Sequence, residues 1–455
     1  MNESDGLGLS VTGRDADLLN ALFSKADRIL IKKLSNNDRD WAHSREKHQD
    51  GVYIPYEHRD GGFFPPLERM ERSDPESAAI WETIFKTFWP QAGETDAPRE
   101  SRLVNYTSKG QETHLTRLPG SVFADLMPAS FLIMGRIEHE GKAAFECLTI
   151  DSASDEASLL AELFDIGPDF KISEFDPTDL KRLEHERVLD FAEQVIAAWL
   201  AGQIDIFARD NAAMPSTAEL ASLARRAYLQ ANGLKATNPF ELAAPGDVLR
   251  DISRSIEWEL FRKFQRTERA VELVRIVVGD VPVKVSAVDI IRRLIDVLQE
   301  IDALMLSASQ QRRARAGYSY EHHIGAMLAD GSVPFERQAI IAQRKRPDFI
   351  LPSLKFMDSG KTGSETALIL SAKTTLRERW KQVEREKGVR NLYLTTVDEN
   401  ISGNIIEDMN SFGAYLVIPE RLRESDVTEY DRHKNILSFR EFCDQVIAPN
   451  LAGWA

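Results

Sequence analysis

The feature that most constrains the fold is a change of hydrophobic periodicity near residue 175. From about residue 26 to 170, short apolar runs (ADRILIKKLS, GVYIPY, FLIMGRI, AAFECLTI) are punctuated by Gly and Pro, which is typical of a small barrel or sandwich. Further along, apolar residues recur at helical spacing. Because 455 residues exceed one typical core, we expect two domains, divided at the acidic, Pro-containing segment 166–178.

Local signals add detail to both halves. Residues 1–18 are polar and contain Gly, so we expect a loose arm, and the HEGK sequence at 139–142 predicts a hairpin turn. Ser216 is a predicted N-cap, and helical spacing continues over 256–265 and 288–306.

The C-terminal part alternates helices and strands. A helix is predicted over 309–328. The four predicted strands cover 347–351, 367–373, 391–396 and 414–419, with a further helix, 375–388, between the second and third. This order predicts an α/β domain with a mixed central sheet flanked by helices.

Composition excludes several classes of protein. No run approaches the roughly 20 apolar residues of a membrane span, and MNESDGLGLS lacks the features of a signal peptide. Cys147 and Cys443 lie too far apart in sequence for a disulfide framework or a zinc pattern. We therefore expect a cytoplasmic protein with two buried thiols and no membrane partner.

The net charge of −15 argues at first against nucleic acid, but its distribution does not. Residues 311–390 contain 16 Lys or Arg against 9 Asp or Glu, which leaves the excess negative charge in the rest of the chain. Phosphate binding depends on charge near the bound strand, so the local excess is compatible with DNA.

Two carboxylates and a lysine form the strongest candidate site. Asp348 begins a short strand, Lys373 closes the apolar strand ALILSAK, and Glu386 follows on the next helix. Carboxylate oxygens hold Mg²⁺, and a lysine can orient water and offset charge on a phosphate. The set fits the PD-(D/E)XK nuclease pattern, except that Ser371 occupies the usual acidic position two residues before the lysine. A chance PD dipeptide with Asp348 as a turn residue is the alternative.

Arg377, Glu378 and Arg379 lie on the helix that follows Lys373. The guanidinium group of arginine can donate two hydrogen bonds to the major-groove edge of guanine, and glutamate can accept a hydrogen bond from the cytosine amino group. A solvated helix face with i,i+4 ion pairs is the alternative interpretation.

Four sequence blocks together resemble the EcoRII-type type II restriction endonucleases and, less closely, the SsoII-type enzymes. They are QRRARAGYSYEHH (311–323), FERQAI (335–340), RPDFILPS (346–353) and AKTTLRERWKQV (372–383). The resemblance implies that Asp348, Lys373 and Glu386 are the catalytic residues, with Mg²⁺ held by Asp348 and Glu386. In this family the second acidic ligand lies on the helix after the lysine, which accounts for Ser371.

The resemblance also implies roles for neighbouring residues. Arg377, Glu378 and Arg379 would read the outer C·G pairs, and Glu321 matches a family glutamate near the active site. A plain helix-surface carboxylate is the alternative for Glu321.

IKKLSNND (31–38), HQDGVYIP (48–55) and FFPPL (63–67) resemble the start of the family's effector domain, a B3-like pseudobarrel that binds a second DNA copy. Six residues lie in the segment that corresponds to its DNA-contacting region, each with a plain surface role as the alternative. They are Arg102, Tyr106, Lys109, Glu112, His114 and Arg117.

The interpretation of the whole chain is a B3-like effector domain (1–180), a helical linker (181–212) and a restriction-endonuclease-like catalytic domain (213–455). It predicts a homodimer that cuts double-stranded DNA at a CCWGG- or CCNGG-like site with Mg²⁺, leaving 5′-phosphate ends, beside a cognate methyltransferase. The alternatives are a structure-specific or repair nuclease without base reading and a catalytically silent DNA-binding protein.

Overall fold

The computed structural model of the chain describes residues 14–42, 51–70, 78–164, 166–178, 192–338, 346–360, 363–376, 391–431 and 433–454. The chain forms two compact units. The first comprises Met1–Leu183, Glu399–Gly403 and Ser425–Asp431, and the second comprises Glu184–Asp398, Asn404–Glu424 and Arg432–Ala455.

A curled, largely antiparallel sheet dominates the first unit. Its described strands are β1 (Arg28–Lys33), β2 (Val52–Ile54), β3 (Glu68–Arg69), β4 (Ile80–Trp89), β5 (Glu94–Tyr106), β6 (Thr113–Thr116), β7 (Phe131–His139), β8 (Lys142–Ile150) and β9 (Ile172–Phe175). They follow the order β2-β6-β5-β4-β8-β7-β1-β9, with β3 paired to β4 and a parallel β4–β8 pair.

Four of the described α-helices accompany this sheet. They are α1 (Arg14–Lys25), α2 (Asn36–Asp40), α3 (Tyr56–Asp60) and α4 (Asp155–Leu163). Ile29 and Ile31 of β1 pack with residues of α1 and α4 in one buried cluster, while Leu30, between them in the strand, belongs to a second cluster. Alternate strand residues point to opposite faces, so the apolar run Ile29–Ile31 of β1 is buried on both faces of the sheet.

One prediction for this unit needs correction. The expected loose arm is wrong for residues 14–18, because α1 begins at Arg14 and buries Leu19, Leu22 and Phe23 against the sheet; residues 1–13 lie outside the described residues. The segment 166–178 contains β9, which pairs antiparallel with β1, and the first unit continues to Leu183.

Other local predictions are confirmed. β7 and β8 pair from Phe131↔Ile150 to His139↔Lys142, with Glu140 (φ 52°) and Gly141 (φ 73°) at the turn. Successive positive φ values are characteristic of the tight turns that match strand twist.

Two segments from late in the chain complete the first unit. Glu399 forms an ion pair with Lys33 of β1 at 2.9 Å, and Glu429 forms one with Arg39 of α2 at 2.9 Å. These pairs join residues that are more than 360 positions apart, which no local sequence pattern indicates.

Most of the described helices lie in the second unit. Those described are α5 (192–200), α6 (Ile204–Phe207), α7 (Thr217–Asn232), α8 (Pro245–Asp251), α9 (Glu257–Val278), α10 (Ala287–Asp296), α11 (Leu298–Asp330), α12 (Leu354–Met357), α13 (Gly403–Ser411), α14 (Glu420–Arg423), α15 (Phe439–Glu441) and α16 (Leu451–Trp454). Ser216 caps α7 as predicted, since its side chain accepts from the Glu219 N–H. The helix expected over 309–328 is part of α11, which has 33 residues.

A mixed sheet lies at the centre of the second unit, as the sequence predicts. Its described strands are β10 (Glu336–Arg337), β11 (Phe349–Leu351), β12 (Leu368–Ala372), β13 (Asn391–Thr395), β14 (Ala414–Ile418) and β15 (Ile436–Ser438), in that order. β10, β11 and β12 are antiparallel neighbours, whereas β12 to β15 are parallel. Helices α7, α8 and α11 contribute apolar residues to the core with these strands. The expected helix 375–388 lies outside the described residues beyond Leu376.

Cys147 and Cys443 are buried free thiols, as predicted. Within the described part of the chain, none of the helices combines the length and apolar character needed to cross a bilayer.

Candidate active site

Asp348 and Lys373 lie at the same edge of the mixed sheet. Asp348 directly precedes β11, and Lys373 directly follows β12. The two strands are antiparallel with Phe349 opposite Leu370, so the start of one strand meets the end of the other. The sheet thus brings together two residues that are 25 positions apart.

The carboxylate of Asp348 is held by three donors. Its Oδ2 accepts hydrogen bonds from the Ser371 hydroxyl at 3.1 Å, the Ala372 N–H at 2.7 Å and the Lys373 ammonium at 2.7 Å. Its Oδ1 accepts none from the described residues. The side chains of Asp348 and Lys373 are 12% and 20% exposed, so this ion pair is largely shielded from solvent.

Ser371 supports Asp348 directly. It is fully buried and points to the same face of the sheet as Lys373, as the strand alternation predicts. Where the nuclease pattern usually has a carboxylate, this chain therefore has a hydrogen-bond donor to the neighbouring carboxylate.

Helix α11 brings Glu321 to Asp348 and Lys373. Glu321 is buried, and burial together with the negative charge of Asp348 raises its pKa to about 7, although Lys373 acts in the opposite direction. Its side chain also forms a hydrogen bond with Gln338. A carboxyl group with such a pKa exchanges its proton near neutral pH, which is characteristic of functional sites.

Tyr320 and Thr395 support the site in a way that the sequence patterns do not reveal. The Lys373 N–H donates to the Thr395 carbonyl at 3.0 Å, and the Thr395 hydroxyl shares a hydrogen bond of 2.9 Å with the Tyr320 hydroxyl. Both side chains are buried. Helix α11 is thus tied to the strand beside Lys373; the only sequence signal is that Tyr320 adjoins Glu321.

Oxygen donors at this edge fit a hard divalent cation. Asp348 offers Oδ1, and Glu321 adds a second carboxyl group, which is the ligand type that Mg²⁺ prefers. The described residues do not contain a cluster of three or more His, Cys, Asp or Glu that could bind a metal. The sequence predicted Glu386 as the second metal ligand beside Asp348.

Glu386, Arg377, Glu378 and Arg379 lie outside the described residues. The last described residue before them is Leu376, whose N–H donates to Oδ2 of the buried Asp398 at 2.7 Å. This hydrogen bond therefore holds the backbone in place at Leu376, three residues after Lys373.

The first unit places Arg102, Tyr106 and His114 on one face of its sheet. Arg102 and Tyr106 are four residues apart on β5, and the register Val104↔His114 aligns β6 with them. Arg102 forms an ion pair with Glu82 of β4. Three of the six predicted DNA contacts thus share a face.

The other predicted contacts differ in exposure. Glu112 and Arg117 are exposed, and Arg117 adopts φ 61° directly after β6. His114 is buried, with its ring 5.9 Å from that of Tyr53. The side chain of Lys109 lies outside what the structure describes.

The segment that carries the site is similar to restriction endonucleases. Residues 283–443 match the family model described as EcoRII C terminal, and this range includes Glu321, Asp348, Lys373 and Glu386. The resemblance drawn from the sequence is therefore confirmed for this part of the chain.

Two named relatives are type II restriction enzymes. The chain is 32% identical to EcoRII of Escherichia coli over 143 residues, covering 31% of this chain and 35% of the relative. It is 27% identical to SsoII of Shigella sonnei over 197 residues, covering 40% and 62%. The chain thus spans less than two thirds of either relative. A solved structure of metal-depleted Ecl18kI with uncleaved, modified DNA aligns with 55% of this chain and 83% of that one, at 22% identity and a TM-score of 0.46.

Proposed function

We propose that this protein is a homodimeric type II restriction endonuclease that makes Mg²⁺-dependent double-strand cuts in DNA. One observation carries the proposal. Within the segment that matches EcoRII C terminal, the Asp348 carboxylate is held by Ser371, Ala372 and Lys373 beside the buried Glu321.

Asp348 and Glu386 would hold Mg²⁺, which when bound polarises the scissile phosphate and activates water for attack. Asp348 is suited to this role because its Oδ2 is fully occupied by donors and its Oδ1 accepts no hydrogen bond from the described residues. The three donors fix the direction in which Oδ1 points, which is the geometric requirement for a metal ligand.

Lys373 carries positive charge where a phosphate would lie. Its ammonium is held at 2.7 Å from Asp348 and can orient the attacking water and offset charge that develops on the phosphate. Glu321 is proposed as a further catalytic residue, because α11 places its buried carboxyl group beside Asp348 and Lys373.

Sequence recognition is proposed for Arg377, Glu378 and Arg379, which would read the outer C·G pairs of a CCWGG- or CCNGG-like site in the major groove. A two-fold symmetric site requires two-fold symmetry in the protein, so each catalytic domain (213–455) would cut one strand, 5′ to the CC. The products would carry 5′-phosphates.

The N-terminal domain (1–180) is proposed to be a B3-like pseudobarrel that binds a further copy of the site and relieves inhibition of the catalytic dimer, with 181–212 as a linker. Arg102, Tyr106, Lys109, Glu112, His114 and Arg117 are its proposed DNA contacts. A cognate methyltransferase in the same cytoplasm would protect host DNA.

Digestion of unmethylated phage DNA tests the function. With Mg²⁺ present, sequencing of the fragment ends should give one short motif containing CC and GG, and EDTA should abolish the cuts. Ends at random positions or at branched structures would instead identify a repair-type nuclease. Binding without cleavage under all metal conditions would identify a silent DNA-binding protein.

A further inference from the structure

Glu257 is a buried carboxylate that the proposed chemistry does not use. It is the first residue of α9, it is 7% exposed, and it follows directly after a π-helical turn over Ile252–Ile256. A buried carboxylate is costly unless hydrogen bonds compensate it, and π-helical turns are frequent at functional sites.

Two residues of α11 donate to this carboxylate. The Ser319 hydroxyl donates to Oε1, and His323 Nε2 donates to Oε2 at 2.5 Å. Both residues are 2% exposed. Because both oxygens of Glu257 are engaged by one helix, the carboxylate and its two donors form a clamp on α11.

The clamp contacts the face of α11 that is opposite to the face carrying Glu321. Ser319 and His323 are four residues apart and therefore lie on one helix face. Glu321 is two residues from each, about 200° around the axis. The hydrogen bond between the Tyr320 and Thr395 hydroxyl groups restrains a third side of α11. Together these contacts fix the rotation of α11 about its axis.

Rotation of α11 matters because Glu321 sits at the helix periphery. A side chain about 5–6 Å from a helix axis moves by about 1 Å when the helix turns by about 10°. Displacements of about 1 Å at a reacting centre can reduce rates about 100-fold. The contacts that set the rotation of α11 therefore set the position of Glu321 relative to Asp348 and Lys373.

We propose that Glu257 is a positioning residue that, through Ser319 and His323, holds the Glu321 carboxyl group against Asp348 and Lys373. This inference rests on the proposed nuclease function. Glu257 itself touches neither DNA nor metal in this role.

A double-mutant cycle tests whether Glu257 acts through Glu321. Glu257→Ala should lower kcat about 10- to 100-fold with the KM for DNA unchanged. In a Glu321→Ala background the same change should have no further effect, because the group that it positions is absent. An equal loss in both backgrounds would overturn the proposal.

Asp330 provides a matched control on the same helix. It accepts from the Thr237 N–H at 2.5 Å and the Thr237 hydroxyl at 2.8 Å, about 14 Å along α11 from Glu321. Asp330→Ala should lower thermal stability but leave kcat within about twofold. If it lowers kcat as much as Glu257→Ala does, general destabilisation explains both effects and the proposal fails.

Hydrogen–deuterium exchange of the metal-free protein adds a readout that is independent of cleavage. Glu257→Gln, or Ser319→Ala if the former does not fold, should speed amide exchange in the turn around Glu321 but not near Asp330. Unchanged exchange there would overturn the clamp. If the wild type cuts no DNA, the proposed function fails, while the exchange result still decides whether Glu257 holds this turn.

Discussion

The Ser371 hydroxyl donates a hydrogen bond of 3.1 Å to Oδ2 of Asp348. A serine therefore supports Asp348 from the position at which the nuclease pattern usually has a second acid. Because Ala372 and Lys373 donate to the same oxygen, Asp348 is restrained from one side and presents Oδ1 on the other.

Ser371→Ala should weaken but not abolish activity. It removes one of three donors to Asp348, so we expect a loss of about 1–3 kcal/mol in the free energy of unfolding and a several-fold drop in kcat. Urea unfolding and single-turnover cleavage measure these. Ser371→Thr, which keeps the hydroxyl, is the control. A loss of activity as large as that of Asp348→Ala would show that Ser371 has a role beyond supporting Asp348.

Lys373→Ala should abolish cleavage while leaving DNA binding intact. The ammonium at 2.7 Å from Asp348 is the positive charge that the proposed mechanism places at the phosphate, and loss of such a group typically costs about 100- to 10,000-fold. Cleavage assays with Mg²⁺ and fluorescence anisotropy with EDTA separate the two steps. Mg²⁺-dependent cleavage at the wild-type rate in this variant would contradict the mechanism.

Glu321 should make the stability of the metal-free protein depend on pH. Burial and then the Asp348 charge raise its pKa from 4.5 to about 7. The folded state thus binds this proton more tightly than the unfolded state, so stability is highest below the unfolded pKa and falls as pH rises through the folded pKa.

Glu321→Gln cannot titrate and serves as the reference. The difference in the free energy of unfolding between wild type and this variant should fall across that pH window and stay level above it. Urea denaturation with EDTA over the window measures it. A difference that does not vary with pH would show that Glu321 is not buried beside Asp348.

Arg377→Lys and Arg379→Lys should reduce cleavage at the cognate site more than at related sites. Lysine keeps the charge but lacks the planar fork that pairs with guanine, and each such pair contributes about 1–3 kcal/mol of discrimination. Competition cleavage on a library of single-base variants measures the change. A uniform loss across all sequences favours phosphate contact and a nuclease without base reading.

Arg117→Ala should weaken binding of a second DNA copy more than Arg102→Ala does. Arg117 is exposed, whereas Arg102 is already paired with Glu82 and would have to give up that ion pair. Loss of one phosphate contact should also reduce, by about one, the slope of the logarithm of the binding constant against the logarithm of the salt concentration. Anisotropy of the catalytically inactive Lys373→Ala protein over a range of salt concentrations tests this, and equal losses for both variants would contradict it.

Local sequence patterns predicted elements whose cause is local. The β7–β8 hairpin follows from the HEGK turn at 139–142, and α7 follows from Ser216 and its capping box. The start of α1 at Arg14 and the strand β9 were missed because their stability depends on burial against distant parts of the sheet, which propensity does not reveal.

The sequence alone determined the change from strand to helix spacing, the mixed character of the second sheet and the residue types at its edge. These depend on periodicity and on single residues such as Asp348 and Lys373. Only the tertiary structure decided that Ser371 donates to Asp348 and that burial raises the pKa of Glu321. It also decided that Glu257 accepts hydrogen bonds from Ser319 and His323 of α11. The reason is that these properties depend on contacts between segments up to 66 positions apart in the chain. Local sequence patterns do not show which distant segments come into contact.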